Sequence, residues 1–285
     1  VGVQRQYSSE AGKVENCVAT VHLDYVTGTG FHTLVDSDLY LSESWTSDAE
    51  RRAAAGIPAD VEHRTKWQIA LALIARSLGD GVPLRWITAD EEFGRASEFL
   101  AGVAGMEALY VVEIPRNVFG WTAGRLKEGR RTQRVDKMWR RGGPSWETYH
   151  VKDTGRGPLV WRARANRFVV GADKERRQQW LVVAENVLTG ETKYFLSNAS
   201  KETPIATLLT VAFSRWHVER SFEDAKQEVG LGHFEVRSYR AVQRHLAVSM
   251  ASLLFLGRAA HAARRGGKGA RMEPRAGQGS RRSSA

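Results

Sequence analysis

Hydrophobic and polar positions along the chain predict strands and helices in alternation. Two apolar, β-branched runs, CVATVHLDYV (17–26) and FHTLVDSDLYL (31–41), are joined by the turn sequence TGTG and predict a β-hairpin. KWQIALALIARSLGDG (66–81) has helical spacing and ends in glycine, VPLRWITAD (82–90) predicts a buried strand, EEFGRASEFLAGVAG a helix, and ALYVVEIP (108–115) another strand. This order indicates an α/β protein with a mixed sheet.

The segment 116–202 has a different pattern. A basic, glycine-containing stretch is followed by alternating strands rich in Trp, Tyr and Arg, and LTGET within them predicts a turn. We therefore expect 116–202 to be a basic, β-rich insertion between two parts of one core, 1–115 and the helical segment 203–263. The remainder, 264–285, is rich in Gly, Arg and Ser and predicts a disordered basic tail.

Composition narrows the class of protein. The chain has 285 residues, of which 42% are hydrophobic, enough for a substantial core. The apolar stretch 246–257 is shorter than the roughly 20 residues that span a bilayer, so it predicts a buried helix and no membrane partner. The single cysteine, Cys17, is typical of a reducing compartment.

Positive charge is concentrated in two segments. The net charge is +10, of which 124–141 contributes +6 (eight Lys and Arg, two acids) and 264–285 another +6 (seven and one), leaving −2 elsewhere. This distribution favours a polyanionic partner, most simply nucleic acid. Arg237 and Arg244 lie on a late, predicted helical stretch, where they would either follow phosphates or form a solvated basic face.

The late segment RWHVERSFEDAKQEVGL predicts a helix with three charges on one edge. At about 100° per residue, Arg215, Glu219 and Lys226 fall within one narrow stripe, and the apolar positions around Phe222 border that stripe. Charge beside a core needs a partner, for which a metal ion or a phosphate would serve. The alternative is an Arg–Glu pair at i,i+4. Glu223 lies further round the helix and is the rival to Glu219.

Asp90 stands where the strand 82–90 ends. In open α/β sheets this edge is where sites form. A carboxylate there, with a second on a nearby helix, would hold Mg²⁺, which prefers oxygen ligands, and paired ions can activate water for attack on a phosphodiester. The alternative role of Asp90 is the N-cap of the following helix, and Glu91 and Glu92 fit the first turn of that helix equally well.

The order of these motifs resembles a DDE-type insertion-sequence transposase. ADEEFG follows a strand and RWHVERSFEDAK lies on a late helix, where Arg215, Glu219 and Lys226 match a Tyr-x2-Arg-x3-Glu-x6-Lys signature; Ala212 stands at the Tyr position. GKVENC, LYLSESW and GLGHFEVRSYRAVQRHLAV also resemble this family, and the likeness covers most of 1–263.

The resemblance implies a ribonuclease-H-like mixed sheet with flanking helices and a β-rich insertion between the second and third acidic positions. Asp90 then corresponds to the second acid and Glu219 to the third, both as catalytic ligands of Mg²⁺ or Mn²⁺. Arg215 and Lys226, with Arg237 and Arg244, are expected to face DNA.

The first acid of the family pattern has no match. Val1–Glu10 resembles the segment that follows the strand carrying that acid, so we expect the first strand to be missing from these residues. The acids of the predicted hairpin, Asp24, Asp36 and Asp38, do not match the pattern.

The implied function is metal-dependent cleavage and strand transfer at insertion-sequence ends. The expected partner is double-stranded DNA, both element ends and target, with a homodimer in the DNA complex. The resemblance also implies a cytoplasmic, nucleoid-associated protein of a bacterial type of cell. Two alternatives stay open: a catalytically inactive DNA-binding remnant of a transposase, and a nuclease of the same fold that does not join strands.

Overall fold

The computed structural model describes residues 1–8, 11–122, 131–139, 142–154, 157–171, 173 and 175–269. Its strands are β1 (Gln4–Ser8), β2 (Lys13–Cys17), β3 (Thr20–Val26), β4 (His32–Leu39), β5 (Trp86–Ala89), β6 (Leu109–Glu113), β7 (Phe119–Thr122), β8 (Gln133–Arg134), β9 (Glu147–Thr154), β10 (Gly157–Val170), β11 (Gln179–Asn186) and β12 (Thr192–Ser197). Its helices are α1 (Glu43–Thr46), α2 (Ala49–Ala55), α3 (Lys66–Gly79), α4 (Glu91–Gly94), α5 (Ser97–Gly105), α6 (Ile205–Ser214), α7 (Trp216–Glu228) and α8 (Tyr239–Gly269).

The main sheet has eight strands in the order β5-β6-β12-β11-β10-β7-β8, with β9 paired to β10. β5 and β6 are parallel, while the other neighbours are antiparallel, so the sheet is mixed. The α/β class predicted from the sequence is confirmed, and a mixed sheet with flanking helices is consistent with a ribonuclease-H-like fold. The strands of the predicted insertion continue the sheet that β5 and β6 begin.

The β3–β4 hairpin forms a sheet of its own. Within the described part of the chain, β3 pairs only with β4 and β5 pairs only with β6, so each has one edge outside any ladder. α3 begins with a capping box between Thr65 and Gln68 and packs on both hairpin strands. Its Ile74 belongs to the same buried cluster as Ile87 of β5. One helix therefore covers both the hairpin and the first strand of the main sheet.

The opposite faces are covered by the late helices. α6 packs against β5 and β6, whereas α7 and α8 pack against the hairpin. Apolar side chains of α8, including Leu246 and Leu253, are buried there. The buried helix predicted at 246–257 is only half correct, since Val248 and Phe255 are 67% and 72% exposed.

α8 is also the one described helix that is long and apolar enough to cross a membrane by length and composition. The span Tyr239–Ala263 has a mean hydropathy of 1.4, and 17% of its most apolar stretch is buried. A core helix passes the same criterion, and one face of α8 packs on β4 as a core helix does. The absence of a membrane partner therefore stays a prediction.

The boundaries differ from the sequence pattern in several places. β5 is shorter than the predicted strand, and the predicted helix after it is two helices, α4 and α5. Gly94 ends α4, and a Cβ built on it would lie 1.9 Å from the carbonyl oxygen of Glu113. α4 thus rests directly on the end of β6, an approach that only glycine permits. α8 runs on to Gly269, into the segment predicted as a disordered tail, and 270–285 lie outside the described residues.

Candidate active site

Asp90 lies at the carboxyl end of β5, directly before α4. Its Oδ1 accepts hydrogen bonds from the backbone N–H groups of Glu92 (3.0 Å) and Phe93 (3.5 Å). Asp90 therefore is the N-cap of α4, the structural role that the sequence left open. Both bonds use one carboxylate oxygen, so capping and metal binding are compatible roles for this side chain. Glu92 forms an ion pair with Lys66 (2.9 Å), and Glu91 is exposed.

Glu219 lies in the first turn of α7, on its exposed side. Its side chain is 65% exposed and pairs with Arg215, whose guanidinium Nη2 lies 3.1 Å from Oε1. Arg215 stands at the junction of α6 and α7, in helical conformation. The i,i+4 pair proposed as the alternative is thus present. Glu219 is more exposed than its predicted place beside the core.

Glu219 is exposed because of the orientation of α7. The two residues that α7 buries are Ser221 and Ala225, which lie about 120–160° from Glu219 on a helical wheel. The sequence pattern placed the apolar face at Val218, Phe222, Ala225 and Val229, of which Ala225 is buried, and it left out Ser221 because serine is not counted as a core residue. Phe222 is half-buried.

The other predicted site residues are three cations, one on α7 and two in the segment that follows it. Lys226 is half-buried in the last turn of α7, while Arg237 precedes α8 and Arg244 lies on it, both exposed. Glu223, the rival acid, is 59% exposed and pairs with Arg220 at 3.3 Å. Glu219 and Glu223 are therefore alike in exposure and in having an arginine partner.

The structure does not assemble a metal cage from these side chains. Among the described residues, no three His, Cys, Asp or Glu side chains are grouped closely enough to hold an ion. Asp36 forms a two-point ion pair with Arg76 (both 2.8 Å), and Asp38 pairs with Arg64 (2.6 Å). These two hairpin acids thus have structural partners. Asp90 and Glu219 have the hard oxygen donors that Mg²⁺ prefers, but they are only two carboxylates.

A polar contact layer joins α7 to the hairpin, and we name it the α7 seam: Asp24 and His32 of the hairpin with His217, Ser221 and Asp224 of α7. The Ser221 hydroxyl, fully buried, donates to Asp24 Oδ1 at 2.7 Å. His32 Nε2 lies 3.6 Å from Asp224 Oδ2, and the His32 and His217 rings are 5.6 Å apart.

Burial acts strongly on two groups of β3. It raises the pKa of the Asp24 carboxyl to about 6, although the Ser221 hydrogen bond and nearby His32 oppose the shift. Burial also lowers the pKa of His22 to about 4, against the attraction of Asp36. Asp24 Oδ2 and His22 Nδ1 are buried without a hydrogen-bond partner in the described part of the chain. Both side chains face α7, His22 through an edge-to-face contact with Phe222 at 5.1 Å.

Sequence reasoning missed the α7 seam, although one signal was available. His22 and Asp24 are polar residues two apart in a run otherwise read as apolar strand, and residues two apart on a strand share a face. A polar pair on one face of a buried strand predicts a polar partner above it. Ser221 gave no such signal by itself.

Trp and Arg side chains of the predicted insertion pack on one another. Trp139 and Trp161 are 7% and 3% exposed, so they belong to the core. The Arg164 guanidinium lies 4.4 Å from the ring centroid of Trp146, and that of Arg167 lies 5.3 Å from Trp180. Much of the basic stretch 124–141 lies outside the described residues.

Comparison with known proteins gives one clear relationship. Residues 1–181 match the family model described as DDE superfamily endonuclease. The match includes Asp90 and ends before Glu219. No curated protein matches the chain.

Proposed function

The chain belongs to the DDE superfamily endonucleases, and we propose that within this family it is the catalytic core of a DNA transposase. Membership makes DNA the substrate, and enzymes of this superfamily generally use divalent metal ions. Transposition, with cleavage and strand transfer at element ends, is the more specific function that we propose.

The observation that carries the proposal is the position of Asp90. It lies within the matched residues, at the carboxyl end of a strand in a parallel pair, which is the edge where open α/β sheets form sites. We assign it the role of the second acid. Capping holds the carboxylate at the start of α4 through Oδ1 and leaves Oδ2 for a ligand.

Glu219 is proposed as the third acid, on α7. Among the described residues, the one side-chain hydrogen bond of Glu219 is an exposed pair with Arg215, so exchange of that partner for a metal ion costs little free energy. Arg215 would then pair with a phosphate, for which a guanidinium is well suited. Lys226, Arg237 and Arg244 would add phosphate contacts.

Mg²⁺ or Mn²⁺ is the proposed ion, because both carboxylates are hard oxygen donors. When bound, such an ion lowers the pKa of water and stabilises charge on the phosphodiester. The chain itself contributes the carboxylates that hold the ion and the cations that orient the DNA backbone.

We propose that the first acid lies on a strand outside residues 1–285. The support is that β3 and β5 each have one strand edge without a paired strand among the described residues. α3 packs against both strands through one hydrophobic cluster. A strand between them would complete one continuous sheet and place an acid near Asp90.

The absence of a three-residue acidic or histidine group among the described residues favours one alternative. By themselves, residues 1–285 would bind DNA without cutting it, as an inactive remnant does. A homodimer in the DNA complex remains part of the proposal for the active protein.

The test compares residues 1–285 with the same chain extended upstream in its own reading frame. We expect both to bind duplex DNA with a steep salt dependence, since phosphate contacts release counterions. Only the extended chain should nick supercoiled DNA with Mg²⁺ or Mn²⁺, and EDTA should stop it. Robust nicking by residues 1–285 would show that an acid within them fills the first role.

Two matched substitutions test the assigned acids in the extended chain. Asp90→Asn removes the charge yet preserves the cap, because asparagine is an equally good N-cap, and Asp48→Asn makes the same change at the N-cap of α2. Glu219→Gln is matched by Glu223→Gln. We expect nicking to fall by orders of magnitude for Asp90 and Glu219 only. A Glu219→Gln enzyme at the parent rate would remove α7 from the site.

A further inference from the structure

The α7 seam is polar where a helix-on-sheet contact is ordinarily apolar. Its central contact joins Ser221, 0% exposed, to Asp24 at 2.7 Å across 197 positions of sequence. A buried hydrogen bond between a hydroxyl and a carboxylate is directional and fails if either element shifts by about an ångström. An apolar contact is not directional, so it fixes the alignment of two elements less specifically.

Three observations support a role of this contact in placing α7, which also packs through Ala225 and Phe222. Among the described residues, the helix begins without a side-chain cap from Arg215, which is in helical conformation, and the local contact at its start is that of the His217 ring with the Ser214 backbone oxygen at 2.8 Å. Ser221 lies two residues beyond Glu219, in the same turn. The flanking seam contacts, His32 with Asp224 (3.6 Å) and with His217 (5.6 Å), are long.

We infer that Asp24 is a positioning residue, which holds α7, and with it Glu219, in register through the Ser221 hydroxyl. This inference rests on the proposed role of Glu219. Asp24 touches neither metal nor DNA in this account. Its carboxylate acts through Ser221, so replacement should displace the helix without removing a ligand.

Side-chain substitutions separate positioning from plain stability. Ser221→Ala and Asp24→Leu remove the contact, whereas Asp24→Asn retains an acceptor oxygen for the Ser221 hydroxyl. Ser77→Ala is the matched control, since Ser77 is a buried serine (4% exposed) on α3.

The first readout is backbone hydrogen exchange of residues 1–285. In Ser221→Ala and Asp24→Leu, exchange should increase about tenfold in α7 and stay unchanged in α3. Asp24→Asn should restore protection, and Ser77→Ala should leave α7 unchanged. Unchanged exchange in α7, or an equal increase in α3 and α7, would overturn the inference whatever the cleavage assay gives.

The second readout is the Mn²⁺ concentration for half-maximal nicking by the extended chain. It should rise about tenfold in Ser221→Ala, because a displaced ligand weakens metal binding, and return toward the parent value in Asp24→Asn. If Glu219→Gln abolishes nicking but Ser221→Ala leaves this concentration unchanged, the positioning role fails alone. If Glu219→Gln nicks normally, the proposed function of α7 fails instead.

Discussion

The two faces of the β3–β4 hairpin meet helices differently: the face under α3 is apolar, and the face under α7 has polar contacts beside the buried apolar side chains of α8. Under α3, Val21 meets Ile69 and Leu73, all nearly inaccessible to solvent. Under α7, Asp24 meets Ser221 and His32 lies near Asp224. An apolar layer is stabilised by buried area through a non-directional interaction, whereas a hydrogen-bonded polar layer also requires the right alignment of donor and acceptor. The apolar contact with α3 thus serves stability, whereas the polar contact with α7 serves placement.

The largest effect is expected from the apolar face. Leu73→Ala removes a side chain that is 1% exposed and leaves a cavity between α3 and the hairpin. We expect the free energy of unfolding to fall by ~2–5 kcal/mol, measured by urea denaturation. Loss of less than about 1 kcal/mol would mean that α3 does not hold the hairpin as tightly as its burial indicates.

The polar face should respond to pH. Because the pKa of Asp24 is raised to about 6 in the folded chain, the folded protein binds a proton that the unfolded chain has lost. Its contribution to stability is complete below pH 4 and is lost as pH rises toward 6, by up to ~3 kcal/mol. Asp24→Asn, compared with the parent by denaturation at several pH values, should therefore gain relative stability from pH 4 to 6 and none above.

His22 provides the opposing trend. Its pKa is lowered to about 4, so it contributes stability above pH 6.5 that is lost as pH falls toward 4. The stability contributions of the two groups change in opposite directions between pH 4 and 6.

The Asp24→Asn comparison isolates the contribution of Asp24. Its titratable neighbours on the hairpin and α7 include His22, His32, His217 and Asp224, and all of them are the same in the parent and the variant. A pH-independent difference would contradict the burial of its carboxyl.

A smaller effect is expected from the helix starts. Thr65→Ala removes the capping box of α3 and should cost ~1 kcal/mol in thermal or urea unfolding. Thr65→Ser, which keeps the hydroxyl, is the control. If Thr65→Ala and Thr65→Ser have the same free energy of unfolding, the hydroxyl does not define the start of α3.

The smallest effect belongs to the exposed pair on α7. Arg215→Ala should change the free energy of unfolding by only about 0.2–0.5 kcal/mol, since Glu219 is mostly solvated. DNA binding by the same variant should weaken and its salt dependence should become less steep. A loss of several kcal/mol would instead make the pair structural.

The apolar face could be predicted from the sequence, whereas the polar face left a signal only on the hairpin side, where His22 and Asp24 interrupt an apolar strand. Ile69 and Leu73 recur at helical spacing, and periodicity is a local property of the chain. Asp24 and Ser221 meet across the whole chain, and a buried serine is indistinguishable from an exposed one in a hydrophobicity pattern. The orientation of α7, and the exposure of Glu219 with it, depends on that meeting.

The candidate acids show the same division. Asp90 is a candidate acid because it directly follows a strand, a relationship within a few residues. Its capping role follows from the same position, because it also directly precedes a helix. The connection of the predicted insertion to the main sheet depends on pairing between β6 and β12. Such pairing joins distant segments, and local patterns do not encode it.

Gly94 has a consequence for genetics rather than for chemistry. Any side chain at this position would overlap the carbonyl of Glu113, so α4 would have to lift away from β6 and take the Asp90 end of the helix with it. A screen that scores only loss of function would rank Gly94 beside the acids, although it offers no group that binds or reacts. Intolerance to mutation near Asp90 thus records the closeness of two backbones as faithfully as it records a catalytic carboxylate.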